Sequence, residues 1–301
     1  VANCLSNWPE DFFKHPSEFV TRNPPSFALT GESNLLLQRR PLNINKMLLA
    51  FDIGNTNITI GLFKDSKLIE VWRLLSDVNK SDDDYAVDII ELLLLKKIDC
   101  LEISGAIIGS VVPRLTDILS NSLKKFTNAK ILVIGSQNVK LNIDIKLNNK
   151  KEIGADRLIN AIAAYKKFGG NLIIIDFGTA TTFDVVGQNG EYLGGVISPG
   201  INLSLKALHD ATAQLPKITV KSQKNVIGKN TIEAMNSGVY FGYVSLIEGM
   251  IKRIENELNC KTTRVITGGL AELFKTELKN SIDHHEPDLT LDGLKIIYTQ
   301  N

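Results

Sequence analysis

Cysteine is nearly missing from this chain: Cys4, Cys100 and Cys260 are three in 301 residues, odd in number and far apart. That argues against a disulfide framework or a thiolate zinc site and fits reduced thiols in the cytoplasm. Excess charge of either sign is missing too, because 34 Lys and Arg stand against 33 Asp and Glu. No global field therefore favours nucleic acid or an acidic membrane, and any bound anion must be held by local groups. The longest apolar runs, such as Leu92 to Leu95 and Leu172 to Ile175, fall far short of the roughly 20 residues of a membrane helix. The histidines lack ligand spacing, and the His284-His285 pair beside Glu286 reads as a solvated loop. No G-x-S-x-G elbow, Walker loop or G-x-G-x-x-G after a strand is present, which weighs against nucleophilic-hydrolase, P-loop and Rossmann readings.

What the chain does have is apolar residue, at 44%, enough for two sizeable cores. Residues 1–46 carry Pro9, Pro16, Pro24, Pro25 and Pro41 without a sustained period. They read as an extension outside the core, and their prolines and broken hydrophobicity do not make a secretory signal. Met47 opens directly onto Leu48-Leu49-Ala50-Phe51 and is the expected natural start, with the preceding residues a mis-called extension or a dispensable tail.

From Met47 the pattern predicts strands over Leu48 to Ile53, Ile58 to Phe63 and Leu68 to Leu74. A helix (Asp82 to Lys97), a strand (Gly105 to Gly109), a helix (Leu115 to Phe126) and a strand (Ile131 to Ile134) follow. A helix over Ile153 to Phe168 stops at Gly169-Gly170. Then the opening theme returns: apolar strand Leu172 to Asp176, turn Phe177-Gly178-Thr179-Ala180, strand Thr181 to Val186. Gly194 to Gly200 reads as a glycine and proline loop, followed by a short helix near Leu203 to Leu208. A long helix over Thr231 to Leu258 is capped by Asn230, a strand over Arg264 to Thr267 precedes Gly268-Gly269 and a helix from Leu270, and Leu291, Leu294 and Ile297 close the chain at helical spacing. The expected class is α/β: two similar lobes of mixed sheet flanked by helices, divided as 47–168 and 169–301, with a cleft between them. Two unrelated tight turns would leave the same trace.

A strand ending in Asp and Gly sets a carboxylate beside exposed backbone N–H groups, which suits phosphate oxygens and a hydrated cation bridging to them. Asp52 and Asp176 are thus candidates for cation positioning, with Gly54, Asn55, Thr56, Gly178 and Thr179 as a phosphate cradle. Asp156, in the first turn of a helix, either complements the helix dipole or serves as a base for an attacking hydroxyl, with Arg157 binding a negative group. Gly268-Gly269 suits close approach of an adenine ring or an ordinary turn. Gly238, Gly242, Ser245 and Gly249 give the long helix a small-residue face, open either to the protein's own sheet or to a second subunit.

Taken in order, DIGNTN (52–57), GADR (154–157), DFGTATTFDVV (176–186), GGVISPG (194–200), IGKNTIEAMNSG (227–238) and ITGG (266–269) look like the type III pantothenate kinases of the actin-like, sugar-kinase-like ATPase superfamily. The resemblance implies a ribonuclease H-like duplication with its site between the lobes, and ATP-dependent phosphorylation of pantothenate to 4′-phosphopantothenate, the first step toward coenzyme A. It implies ATP binding by Asp52, Ile53, Gly54, Asn55, Thr56, Asn57, Ile58, Thr59 and Thr179, with magnesium. Asp156 becomes the proton acceptor. Gly154, Ala155, Asp156, Arg157 and Thr231 become substrate contacts, Asp176 a ligand of potassium or ammonium, and the assembly a homodimer. Leu147 stands where the family usually carries a substrate-binding tyrosine. That departure keeps another small-molecule kinase of the superfamily in view, and relatives grouped with the Bvg accessory factors keep a non-catalytic regulatory role in view.

Overall fold

The computed structural model describes residues 47–301, so the readings made on residues 1–46 lie outside the described residues. Strands β1 (Met47–Ile53), β2 (Asn57–Lys64), β3 (Lys67–Leu75), β4 (Ile103–Ser110) and β5 (Lys130–Val133) form one sheet in the order β3-β2-β1-β4-β5. β1 is almost wholly apolar and buried, as befits a strand covered on both faces. β3, at the edge, alternates between exposed and partly buried positions. Asp65 and Ser66, both at positive φ, make the two-residue turn between β2 and β3.

A second sheet repeats the first. Strands β6 (Leu172–Phe177), β7 (Ala180–Val186), β8 (Tyr192–Pro199), β9 (Thr263–Thr267) and β10 (His284–His285) run in the order β10-β9-β6-β7-β8. In each sheet the first strand pairs antiparallel with the second and parallel with the fourth, so β6 stands where β1 stands. The duplication expected from the recurring turn is present.

Helices α1 (Asp82–Leu95) and α2 (Pro113–Phe126) cover one face of the first sheet, through Tyr85, Ile89, Leu93, Leu115, Leu119 and Leu123. Ser81 and Asp84 form the capping box of α1, and Pro113 opens α2 where its missing N–H costs nothing. α4 (Ile201–Asp210), α5 (Thr231–Leu258) and α6 (Ala271–Phe274) cover one face of the second sheet. Asn230 caps α5 by accepting from the Glu233 N–H at 2.9 Å.

The remaining faces are covered by a crossed pair, α3 (Ala155–Phe168) and α7 (Leu289–Gln300). α7 follows the second sheet in the chain but lays Leu291, Leu294 and Ile297 against Leu48, Ala50, Phe63 and Ile107 of the first. α3 follows the first sheet but sends Leu158, Ala161 and Ala164 to Leu172, Ile174 and Val265 of the second. The two helices meet where Ile159 is pinched, for a Cβ on Gly293 would lie 2.5 Å from the Ile159 carbonyl oxygen and one on Gly109 2.6 Å from its Cδ1.

Three expectations change. Gly194 to Gly200 is mostly strand, not loop: the glycines let β8 approach β7, since a Cβ on Gly195 would strike the Phe183 carbonyl, and Pro199 is tolerated on an edge strand. His284-His285 is the edge strand β10, paired with Val265 and Ile266, with His284 stacked on Phe168 at 4.1 Å. The helix from Leu270 is a single turn, α6, followed by a 3-10 turn at Glu277–Asn280. On α5, Gly238, Gly242 and Gly249 have nothing within 4 Å of their Cβ positions, so the protein's own sheet does not account for the small-residue face.

Candidate active site

Asp52 and Asp176 occupy matching positions, each one residue before the end of its strand. Asp52 is flanked in register by Thr59 and Gly109, Asp176 by Thr182 and Thr267. After each comes a tight turn into the antiparallel neighbour, the first one residue longer than the second: Gly54 N–H donates to Asn57 O at 3.0 Å, and Gly178 N–H to Ala180 O at 3.0 Å. Asn55, Thr56, Asn57, Gly178 and Thr179 are exposed, while Ile53 and Ile58 are buried and anchor the first turn in its core. The turns face one another, with Thr56 Oγ1 3.4 Å from Thr179 Oγ1.

Groups that sequence reading missed hold both turns. Ser76, at the end of β3, donates through Oγ to Gly54 O at 2.6 Å and through its N–H to Thr56 O at 3.0 Å. Gly200 donates to Thr179 O at 3.1 Å, and a Cβ there would collide with that turn. Beside the first turn a cavity of about 510 Å³ opens between Asn55, Thr56, Leu74, Leu75, Ser76, Asp77 and Lys80. That volume lies in the range of small-molecule sites.

Asp156 lies in the first turn of α3, whose N-cap is Gly154, and its Oδ1 accepts from the Arg157 N–H at 2.9 Å. It is close enough to both strand-end acids to act on them electrostatically. Burial, then the charges of Asp176 and Asp156, push the Asp52 carboxyl up to about 7. Burial, then Asp156 and Asp184, push Asp176 up to about 7, against a hydrogen bond from Asn160 that lowers it. Such mutual repulsion is what a site arranged for cations and cation-bound phosphates looks like when only protein groups are considered. Among the described residues, no three His, Cys, Asp or Glu side chains form a metal cage.

Arg157 does not point freely at the cleft. Its Nε donates to Asp184 Oδ1 at 2.7 Å, and Asp184 is fully buried. Tyr192 donates to the same carboxylate at 2.7 Å, and Thr182 to its other oxygen at 3.3 Å. Burial raises Asp184 to about 6 despite Arg157, which opposes the shift. Burial, the Asp184 charge and that hydrogen bond push the Tyr192 hydroxyl up as well. One guanidinium nitrogen, Nη2, is buried without a hydrogen-bond partner among the described residues. Buried donors are seldom left so, which leaves this one able to meet an acceptor from outside the chain. Gly195 makes room for it, since a Cβ there would sit 2.6 Å from Nη2.

The structure thus brings together Asp52, the 54–57 turn, Asp156, Asp176 and Thr179, with Gly154, Ala155 and Arg157 alongside on the start of α3. Thr59 backs Asp52 in register. Leu147 is half-buried among Ile153, Leu158 and Tyr192, 3.6 Å from the Cβ position of Gly194. Thr231 is exposed at the start of α5, and among the described residues no hydrogen bond joins its side chain to the acids. Asp184 and Asn160 had faint signals: an acid inside the apolar run of β7, and a polar residue four positions after Asp156 on the same helix face.

The family model for type III pantothenate kinase matches residues 48–253. The chain belongs to the type III pantothenate kinase family. It is 46% identical over 257 residues to the type III pantothenate kinase of Paramagnetospirillum magneticum, covering 85% of this chain and 98% of that protein. Identity to the Moorella thermoacetica member is 43% over 255 residues, covering 85% of this chain and all (100%) of that protein. Among solved structures, a 2-dehydro-3-deoxygalactonokinase-type protein from Sinorhizobium meliloti superposes with a TM-score of 0.52 at 9% identity, covering 84% of this chain and 96% of that one. A Baf-family protein from Campylobacter jejuni gives 0.50 at 21% identity, covering 84% and 98%. Those two likenesses show the fold, two five-stranded mixed sheets flanked by helices, and nothing of the activity. Within the pantothenate kinase family, the cleft acids and their two turns all fall inside the matched span.

Proposed function

We propose that this protein transfers the γ-phosphoryl group of ATP to the terminal hydroxyl of pantothenate, giving 4′-phosphopantothenate for coenzyme A synthesis. The observation that carries this reading is the 46% identity to a type III pantothenate kinase across 98% of that relative. In this reading the 52–59 segment and Thr179 bind the ATP phosphates, their N–H and hydroxyl groups donating to phosphate oxygens. Asp156 orients the attacking hydroxyl and takes its proton, since phosphoryl transfer asks mainly for positioning of the nucleophile. Arg157, immobilised by Asp184, offers Nη2 to an oxygen of the substrate. Magnesium, when bound near Asp52, and potassium or ammonium, when bound by Asp176, would neutralise charge among the carboxylates and phosphates.

The lobes are read as 47–168 and 169–301. The open glycine face of α5 is read as a contact with the same helix of a second copy, so that the protein works as a homodimer, and exposed Thr231 as a substrate contact completed in that assembly. A cytoplasmic location goes with this role; among the described residues, no helix is long and apolar enough to cross a membrane. The test is turnover of ATP with pantothenate, with and without potassium. Formation of 4′-phosphopantothenate supports the reading, and its absence in both conditions removes it. A second reading, a kinase for a related hydroxy acid or a sugar, draws on Leu147, whose side chain offers no hydroxyl to substrate. A panel of such acceptors under the same conditions separates the two.

A further inference from the structure

Asn160 is 1% exposed and sits on α3 between Asp176 and α7. Its Nδ2 donates to Asp176 Oδ2 at 3.1 Å, and its Oδ1 accepts from the Thr290 hydroxyl at 2.8 Å. The two bonds fix the amide together. An ionised Asp176 carboxylate only accepts, so it takes the N–H side and leaves Oδ1 for the Thr290 hydroxyl, whose bond keeps the amide from swinging away. Thr290 is itself held between Leu289 and Leu291, whose side chains sit in the two cores α7 joins. The effect on Asp176 is equally specific. Oδ2 is tied to Asn160, while Oδ1 lies 3.9 Å from the Cβ position of Gly178 and against that of Gly268, on the side of the glycine turns.

We propose that Asn160 and Thr290 are a positioning pair for the phosphoryl-transfer site, fixing Asp176 so that one carboxylate oxygen is anchored and the other is presented to a cation. A neutral amide does this without adding a positive charge that would compete with the cation, and it connects the second-lobe acid to the helix that closes the first-lobe core. The inference rests on the reading of Asp176 as a cation ligand, and its test keeps the two apart.

The experiment uses the whole chain and two readouts: steady-state kinetics, and the rise in melting temperature caused by potassium chloride over that caused by choline chloride. Thr290→Val preserves side-chain size and removes the hydroxyl. It is expected to lower kcat about tenfold or more, the usual effect of removing support behind a metal ligand. KM for pantothenate should stay within about twofold, since ground-state binding is untouched. The potassium-specific rise should shrink as well. Thr290→Ser restores the hydroxyl and should recover both. Asn160→Leu should reproduce Thr290→Val where it folds; the Thr290 variants carry the test where it does not. Wild-type kcat and potassium response in Thr290→Val, or a loss that Thr290→Ser fails to recover, overturns the pair. Asp176→Asn is the comparator. Should it lose the potassium response while the Thr290 and Asn160 variants keep it, only the pair fails; should it keep the response, the cation reading of Asp176 fails and the pair falls with it.

Discussion

Thr56 Oγ1 and Thr179 Oγ1 lie 3.4 Å apart although 123 positions separate them in the chain. They are the facing tips of two tight turns at matching places on two sheets built alike, so a ligand bridging the lobes meets a hydroxyl from each. Thr179→Val removes one of them with little change in volume. KM for ATP should rise about tenfold, the loss of one hydrogen bond to a charged acceptor. KM for pantothenate should hold, and a steady-state comparison of both constants checks it.

Asp156 accepts the N–H of Arg157 and is otherwise free to face the cleft. Asp156→Asn retains the shape and loses the proton acceptor. Turnover should fall by roughly 10²–10⁴, the usual contribution of a positioned base. Nucleotide binding, followed by calorimetry with ADP, should remain within a few-fold of wild type. Near-normal turnover would refute its role.

Asp52 and Asp176 both sit near pH 7 in the folded protein, well above the 3.8 of a free aspartate. A raised carboxyl pKa means that the folded state holds protons the unfolded state has released. Their stabilising contribution is complete below about pH 4 and is lost as pH rises through about 7. The metal-free protein should therefore melt lower at pH 8 than at pH 6. Asp176→Asn should be more stable than wild type at pH 8 by about 1 kcal/mol, as is common when a functional site is relieved of repulsion. Thermal melts without added magnesium or potassium decide the matter.

The buried pair of Arg157 and Asp184 gives a prediction of opposite sign. Arg157→Leu leaves Asp184 unpaired, which for a buried ion costs about 3–5 kcal/mol. Without Arg157 the Asp184 carboxyl rises further, because the guanidinium is the larger of two groups, with the Tyr192 hydroxyl, that hold it down. The neutral acid at pH 5 is cheaper to bury than the anion at pH 8. The loss of stability should accordingly be smaller at pH 5, and urea melts at the two pH values measure the difference.

How far these features could be read from sequence depends on whether their cause is local. The two Asp-Gly turns were legible because each interrupts an apolar strand with residues that only a turn demands, and the duplication followed from their recurrence. Asp156 was legible as a polar residue in a helix's first turn. β8 was not, since Gly194, Gly195 and Pro199 are loop residues by composition, and the reason for Gly195 is Arg157 Nη2 and the Phe183 carbonyl, both remote in the chain. β10 has two residues, too few to display a period. Asp184, Asn160 and Thr290 owe their importance to partners many residues away, which no spacing rule brings together.

Gly293 has no room for a side chain. A Cβ there would press on the Ile159 carbonyl at 2.5 Å, inside the helix that carries Asp156 and Asn160. Gly293→Ala should destabilise the fold by about 1–3 kcal/mol, the range for overpacking. Because the strain falls on α3, kcat should drop in the surviving folded protein as well, and urea melts with steady-state kinetics check the two effects.

The crossing of α3 and α7 also bears on how the protein is made. The strands of the first sheet are complete once the ribosome has passed Val133, yet one of its faces has no full cover until Leu291, Leu294 and Ile297 emerge. For most of translation the nascent chain carries that apolar face unsealed, a surface for chaperones to hold. A chain cut before α7 should therefore leave that face of the first sheet open to solvent.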